Sequence, residues 1–210
     1  MCGIAGTFNL NGAPVDAENV KRMCDVMAHR GPDDEGVFLD GSVGLGHRRL
    51  SIIDLSAAGH QPMFNEDRTI ALVFNGEVYN FRELRHHLEC LGHYFHSQTD
   101  TEVVIHAYEE WGEKCVARFN GMFAFGLWDS GKRQLFLARD RYGIKPLYYH
   151  ETPETFTFAS EIKPLLTLPH VKKSLSLGAL DEYFTFQNLF TDRTLFEGIK
   201  TLPAGCFATV

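Results

Sequence analysis

Met122-Phe123-Ala124-Phe125-Gly126-Leu127-Trp128-Asp129-Ser130-Gly131-Lys132-Arg133-Gln134-Leu135-Phe136-Leu137-Ala138-Arg139 reads as two apolar strand runs, 122–128 and 134–139, joined by the turn-forming stretch 129–132. A hairpin places antiparallel strands side by side without an intervening helix. Upstream, two amphipathic helices are predicted at roughly Phe81 to Leu91 and Thr101 to Trp111, with Asp100 placed to cap the second. Before them, short strands run through Val37 to Leu39, Val43 to His47 and Ile70 to Phe74, broken by turn residues. At the start, a strand from Ile4 to Leu10 ends at Asn11-Gly12. A helix then opens at Pro14 with Asp16 as candidate cap and buries Val20, Met23, Cys24 and Met27. Downstream, further strands are read at Pro146 to Tyr149 and Phe156 to Ala159. Strands in adjacent runs with a few helices between them depart from the alternation of a doubly wound sheet, so the expectation is a layered α+β fold.

The 210 residues include 44% hydrophobic and 12% aromatic side chains, enough for a sizeable core in one domain. Twenty basic and twenty-seven acidic residues give a formal charge of -7 with no like-charge block, which argues against a nucleic-acid or anionic-membrane partner. The start lacks the basic and apolar regions of a secretory signal, and no apolar run is long enough to span a bilayer, so a cytoplasmic protein is expected. Leu202 to Val210 is apolar and strand-like, from which we expect the chain to be a piece of a longer polypeptide. Five scattered cysteines form no C-x-x-C pair, so neither a disulfide framework nor a zinc knuckle is indicated. The ten histidines show no H-E-x-x-H spacing, and His86 and His87 are adjacent and cannot share a helix face, so no metal ligand is assigned. Neither G-x-x-x-x-G-K-[ST] nor G-x-G-x-x-G occurs, which leaves no nucleotide loop.

Four segments carry candidate chemistry. Cys2 follows the initiator Met1, and aminopeptidase removal of that residue would give one residue both a thiol and a free α-amine. Such an amine titrates at about 7.7–8.0 and a thiol at about 8.5, so at neutral pH the amine can take the thiol proton. The plainer reading is a cysteine that merely starts a strand. In His47-Arg48-Arg49-Leu50-Ser51-Ile52-Ile53 either arginine could fork onto a carboxylate, or both could be solvated. In Phe74-Asn75-Gly76-Glu77-Val78-Tyr79-Asn80 the Asn-Gly pair reads as a type I′ turn, or alternatively as an oxyanion hole of the Asn75 side-chain amide and the Gly76 backbone N–H. Asp100 could cap a helix or receive an ammonium group.

Taken together, the chain resembles the glutaminase domain of glutamine-dependent asparagine synthetases, class II glutamine amidotransferases of the N-terminal-nucleophile hydrolase superfamily. The resemblance rests on segments 1–6, 29–33 (His-Arg-Gly-Pro-Asp), 47–52, 74–80, 99–103 (Thr-Asp-Thr-Glu-Val), 119–125, 139–149 (Arg-Asp-Arg-Tyr-Gly-Ile-Lys-Pro-Leu-Tyr-Tyr) and 158–163 (Phe-Ala-Ser-Glu-Ile-Lys). It implies a four-layer αββα sandwich of two antiparallel sheets with Cys2 at the start of an inner strand. It also implies that Cys2 attacks the side-chain amide of glutamine and releases ammonia. Arg49 should then bind the α-carboxylate, Glu77 and Asp100 the α-ammonium, and Asn75 and Gly76 the oxyanion, with the backbone of Leu50, Ser51, Ile52 and Ile53 lining the pocket. The implied partners are L-glutamine and a C-terminal synthetase domain that takes the ammonia, and a homodimer is compatible with the family. ATP and magnesium belong to that synthetase domain, whose Ser-Gly-Gly-x-Asp-Ser loop does not occur here, so no cofactor is expected in these residues. Rival expectations are a related amidotransferase with another acceptor, such as phosphoribosyl pyrophosphate or a hexosamine precursor, and a catalytically silent regulatory module. A retained Met1 would abolish the free amine.

Overall fold

The computed structural model describes residues 1–52 and 56–210. In chain order these form β1 (Gly3–Asn9), α1 (Ala17–Asp25), β2 (Asp34–Asp40), β3 (Val43–Arg49), β4 (Met63–Phe64), β5 (Ile70–Val78), α2 (Phe81–Cys90), α3 (Asp100–Trp111), β6 (Gly121–Asp129) and β7 (Gln134–Arg139). There follow β8 (Tyr148–Glu151), β9 (Thr155–Ala159), α4 (Ile162–Leu165), α5 (Leu177–Phe186), β10 (Ile199–Thr201) and β11 (Phe207–Thr209). The strands make a six-stranded sheet of order β10-β8-β9-β1-β3-β2 and a five-stranded sheet of order β11-β7-β6-β5-β4. Neighbouring strands pair antiparallel throughout the described residues.

Side-chain alternation in the central strands creates the layers, because successive residues of a strand point to opposite faces. From β5, β6 and β7, residues Leu72, Phe74, Phe123, Phe125, Leu127 and Phe136 pack with Leu88, Val104 and Tyr108 of α2 and α3. The alternate set, Ala71, Val73, Ala124, Trp128, Leu135 and Leu137, packs against Ile4, Leu45 and Phe158 of the other sheet. On the far side of that sheet Ala5 and Ala159 meet Met23, Met27 and Leu165 of the α1 and α4 layer. Three apolar interfaces therefore separate four layers, helix on sheet on sheet on helix, as the resemblance implies.

The 122–139 hairpin is present, with Trp128 opposite Leu135 and Asp129 opposite Gln134. Asp16 caps α1, its carboxylate accepting from the Glu18 N–H at 3.0 Å. Burial pushes the thiols of Cys24 and Cys115 up to about 12, so these two are core residues rather than nucleophiles. One open sequence reading is decided and one is corrected. Asn75-Gly76 is no turn: β5 runs straight through it, and the register sets Asn75 opposite Ala124 and Gly76 opposite Phe123. Asp100 is not the cap of α3. Thr99 has the extended backbone of a cap and accepts from Glu102 N–H, and Asp100 is the first helical residue, turned toward β5. No helix among the described residues is long and apolar enough to cross a membrane.

Candidate active site

The residue before β1, the end of β3, the last third of β5 and the first turn of α3 meet around a cavity of about 210 Å³. Its lining brings together Cys2, Arg49, Leu50, Ile52, Asn75, Gly76, Glu77 and Asp100, residues spread over ninety-nine positions of sequence. Ser51 faces a neighbouring depression with Asp33 and Asp34, because its backbone N–H is held by the Asp33 carboxylate at 2.8 Å. Ile53 lies outside the described residues.

Strand alternation separates the two arginines. Arg48 turns to the α1 side of its sheet, pairing with Asp25 at 2.7 Å and Glu35 at 2.6 Å and donating to the Cys24 carbonyl. Arg49 points the other way, into the cavity, with one guanidinium nitrogen donating to the Ser56 carbonyl at 2.9 Å. Gly59 packs against that guanidinium so closely that a Cβ built on it would lie 2.0 Å from Nη2.

Cys2 is fixed at both ends. Its Sγ accepts from the Leu50 N–H at 3.4 Å and can donate to the Leu50 carbonyl at 3.7 Å, which aims the thiol at the cavity from the β3 side. Its carbonyl accepts from Arg30 Nε at 2.9 Å, and Arg30 is braced by the Glu161 carboxylate at 3.0 Å. Met1 lines the same cavity and is 54% exposed, so its removal would both free the Cys2 amine and widen the opening.

Asn75 is 1% exposed, yet its side-chain Nδ2 has no hydrogen-bond partner. A buried amide donor without an acceptor costs about 1–3 kcal/mol, and its place on a cavity wall leaves it able to donate to a bound group. The peptide before it is held at both atoms. Phe74 N–H donates to Gln61 Oε1 at 2.7 Å, and His47 Nε2 donates to the Phe74 carbonyl at 3.2 Å. Burial lowers His47 to about 3, which keeps its ring neutral. Gly76 has no room for a side chain: a Cβ there would lie 2.3 Å from the Met122 carbonyl oxygen. That close approach, rather than a turn, explains the glycine.

Asp100, 4% exposed, accepts from Val78 N–H at 2.8 Å. Burial raises its carboxyl to about 6; backbone hydrogen bonds from Val78, Asp100 and Thr101 oppose the rise, and nearby Glu77 adds to it. The cavity thus holds an arginine and a pair of carboxylates, with Lys145 also on its wall. Charges of both signs suit a zwitterion. Sequence reasoning passed over Arg30, Glu161, Gly59, Gln61 and Lys145. Arg30 and Glu161 stood inside the quoted segments, but their 131-residue separation hid the ion pair.

Two stacked antiparallel sheets between helical layers, with a cysteine heading an inner strand and facing a polar cavity, define the amidotransferase type of N-terminal-nucleophile hydrolase fold. The glutamine phosphoribosylpyrophosphate amidotransferase from B. subtilis complexed with ADP and GMP shares this fold, with a TM-score of 0.66 at 20% identity over 78% of this chain and 43% of that one. The glutamine amidotransferase domain family model matches residues 1–210, and the chain belongs to that family. It is 46% identical over 219 residues to asparagine synthetase [glutamine-hydrolyzing] 2 of Bacillus subtilis, covering all of this chain and 29% of that protein. The corresponding values for asparagine synthetase [glutamine-hydrolyzing] 3 of the same organism are 41% over 207 residues, 96% and 33%. For a putative asparagine synthetase of Methanocaldococcus jannaschii they are 40% over 224 residues, 97% and 43%. The chain spans about a third of the length of the two Bacillus subtilis relatives.

Proposed function

We propose that this domain hydrolyses L-glutamine to L-glutamate and ammonia at Cys2, once Met1 has been removed, and that the ammonia serves an asparagine-synthetase type of amidation. The observation that carries this reading is the partnerless buried Asn75 Nδ2 on the wall that also holds Cys2, Arg49 and Asp100. Arg49 takes the α-carboxylate of glutamine, and Asp100 with Glu77 takes the α-ammonium. The Cys2 amine accepts the thiol proton, and Sγ attacks the side-chain amide carbon. The carbonyl electron pair moves onto oxygen, where Asn75 Nδ2–H and the Gly76 N–H stabilise it. The amine passes its proton to the departing nitrogen, the C–N bond breaks, and ammonia leaves a γ-glutamyl thioester. Water adds to that thioester, its proton returns to sulfur through the amine, and glutamate leaves with the thiol restored.

An acceptor half is supported by the relatives, which are about three times as long and are named for asparagine synthesis. We place there an ATP- and magnesium-dependent domain that activates aspartate or a related carboxylate. Exposed apolar side chains at and beyond α5, Leu177, Phe184, Phe186 and Phe190, support a docked partner. The test is ammonia release from glutamine by the processed protein and by Cys2→Ala. Release should vanish in the variant, and undiminished release would overturn the assignment.

A further inference from the structure

We propose that His93, His106 and Glu109 form a binding site for one divalent cation of the zinc class, on the helical layer and apart from the glutamine cavity. His106 and Glu109 stand three residues apart on α3 and so share a face. His93 comes from the turn after α2, where its N–H is held by the Leu88 carbonyl. One ligand atom from each residue can be chosen so that all lie within 4.8 Å of one another. Glu109 Oε2 is 2.7 Å from His106 Nδ1 and 3.5 Å from His93 Nδ1. Tetrahedral zinc, with bonds of about 2.0–2.2 Å, sets its ligand atoms roughly 3.3 Å apart, so small side-chain rotations admit the ion.

The surroundings have the form of an outer ligand shell. Asn65 Nδ2 donates to the other Glu109 oxygen at 2.9 Å and so orients the carboxylate. His106 Nε2 is buried without a hydrogen-bond partner and faces Glu102 Oε1 at 3.9 Å and Glu66 Oε1 at 4.0 Å. With Nδ1 on a cation, Nε2 carries the ring proton and these carboxylates receive it, the arrangement that metal-bound histidines adopt. His93 Nε2 lies 3.4 Å from Glu110 in the same manner. Four carboxylates around two imidazoles leave negative charge for a dication to neutralise, and two nitrogens with one oxygen favour zinc over magnesium. The histidines stand thirteen positions apart, outside the H-E-x-x-H spacing. The bound ion would tie the turn after α2 to the helix whose first residue is Asp100.

Calorimetric titration of the full chain with Zn²⁺, with Mg²⁺ in parallel and Co²⁺ spectra for ligand type, tests the site. One equivalent of Zn²⁺ should bind to wild type and to Cys2→Ala, and should raise the Tm of both. Affinity should fall at least about tenfold in His93→Ala and in Glu109→Gln, with no thiolate charge-transfer band for Co²⁺ in wild type. Absence of zinc uptake, wild-type affinity retained in both His93→Ala and Glu109→Gln, loss of the equivalent in Cys2→Ala, or a thiolate band would each overturn the proposal.

Discussion

Asp100→Asn should make the ligand-free domain more stable while weakening its hold on glutamine. In the folded protein the carboxyl is raised to about 6 from the 3.8 of a free aspartate, chiefly by burial. The folded state therefore binds the proton more tightly than the unfolded chain. Its contribution to stability is fully present below 3.8 and is lost as pH rises through about 6. Two pKa units at 1.36 kcal/mol each put the charged carboxylate at most about 3 kcal/mol against folding at pH 7. Asparagine carries no such cost, and its Oδ1 can keep the 2.8 Å bond from Val78 N–H. At about 2–4 °C per kcal/mol for a domain of this size, the Tm at pH 7 should rise by up to about 12 °C. Urea unfolding at pH 7 and at pH 3.5, paired with wild type, is the assay: the gain should be present at the first and absent at the second. Glutamine should raise the Tm of the variant less than that of wild type, because the ammonium then meets one carboxylate, Glu77, instead of two. A variant equal to or less stable than wild type at pH 7 would refute the reasoning. The same titration predicts that the wild-type KM for glutamine rises as pH falls below about 6, and a KM flat from pH 5 to 8 would contradict it.

Other consequences are equally direct. Arg49→Ala should raise KM by about 10- to 150-fold, the equivalent of a charge-assisted bond of about 1.5–3 kcal/mol, with kcat changed less. Gly59→Ala should do the same more weakly by displacing the Arg49 guanidinium, and steady-state kinetics at varied glutamine separates the two parameters. Asn75→Ala should lower kcat by about 10²–10³ with the fold intact by circular dichroism. Phe158→Ala, at the fully buried centre between the sheets, should cost about 3–5 kcal/mol in urea unfolding.

The strand pattern was legible where one face is buried and the period of two is strong, as in the 122–139 hairpin and the run from Ile70. It left Asn75-Gly76 open between a turn and an oxyanion hole, because a local turn rule takes no account of a neighbouring strand, and the approach of Met122 and Phe123 leaves no room for a side chain on Gly76. Asp100 was found as a site residue but given the wrong local role. A carboxylate and the threonine before it are both good caps, and tertiary hydrogen bonding to β5 decides between them. The choice between Arg48 and Arg49 was open until the sheet assigned each a face. The region from 162 to 201 gave no reading, since α4 is four residues long and α5 lacks a simple buried stripe. Arg30 with Glu161 is a long-range pairing that no local spacing encodes, and His93 meets the i,i+3 pair His106 and Glu109 only because α2 packs on α3.

The proposed function turns on Cys2 carrying a free amine at the cavity it shares with Arg49, Asn75 and Asp100. The direct measurement is the intact mass of purified protein incubated with a glutamine analogue that bears an electrophilic carbon in place of the side-chain amide. The account predicts a chain lacking Met1 that gains one adduct, mapped to Cys2 and blocked by excess glutamine. Labelling that ignores glutamine or falls on Cys90 or Cys206, or ammonia release by protein that retains Met1, would contradict it.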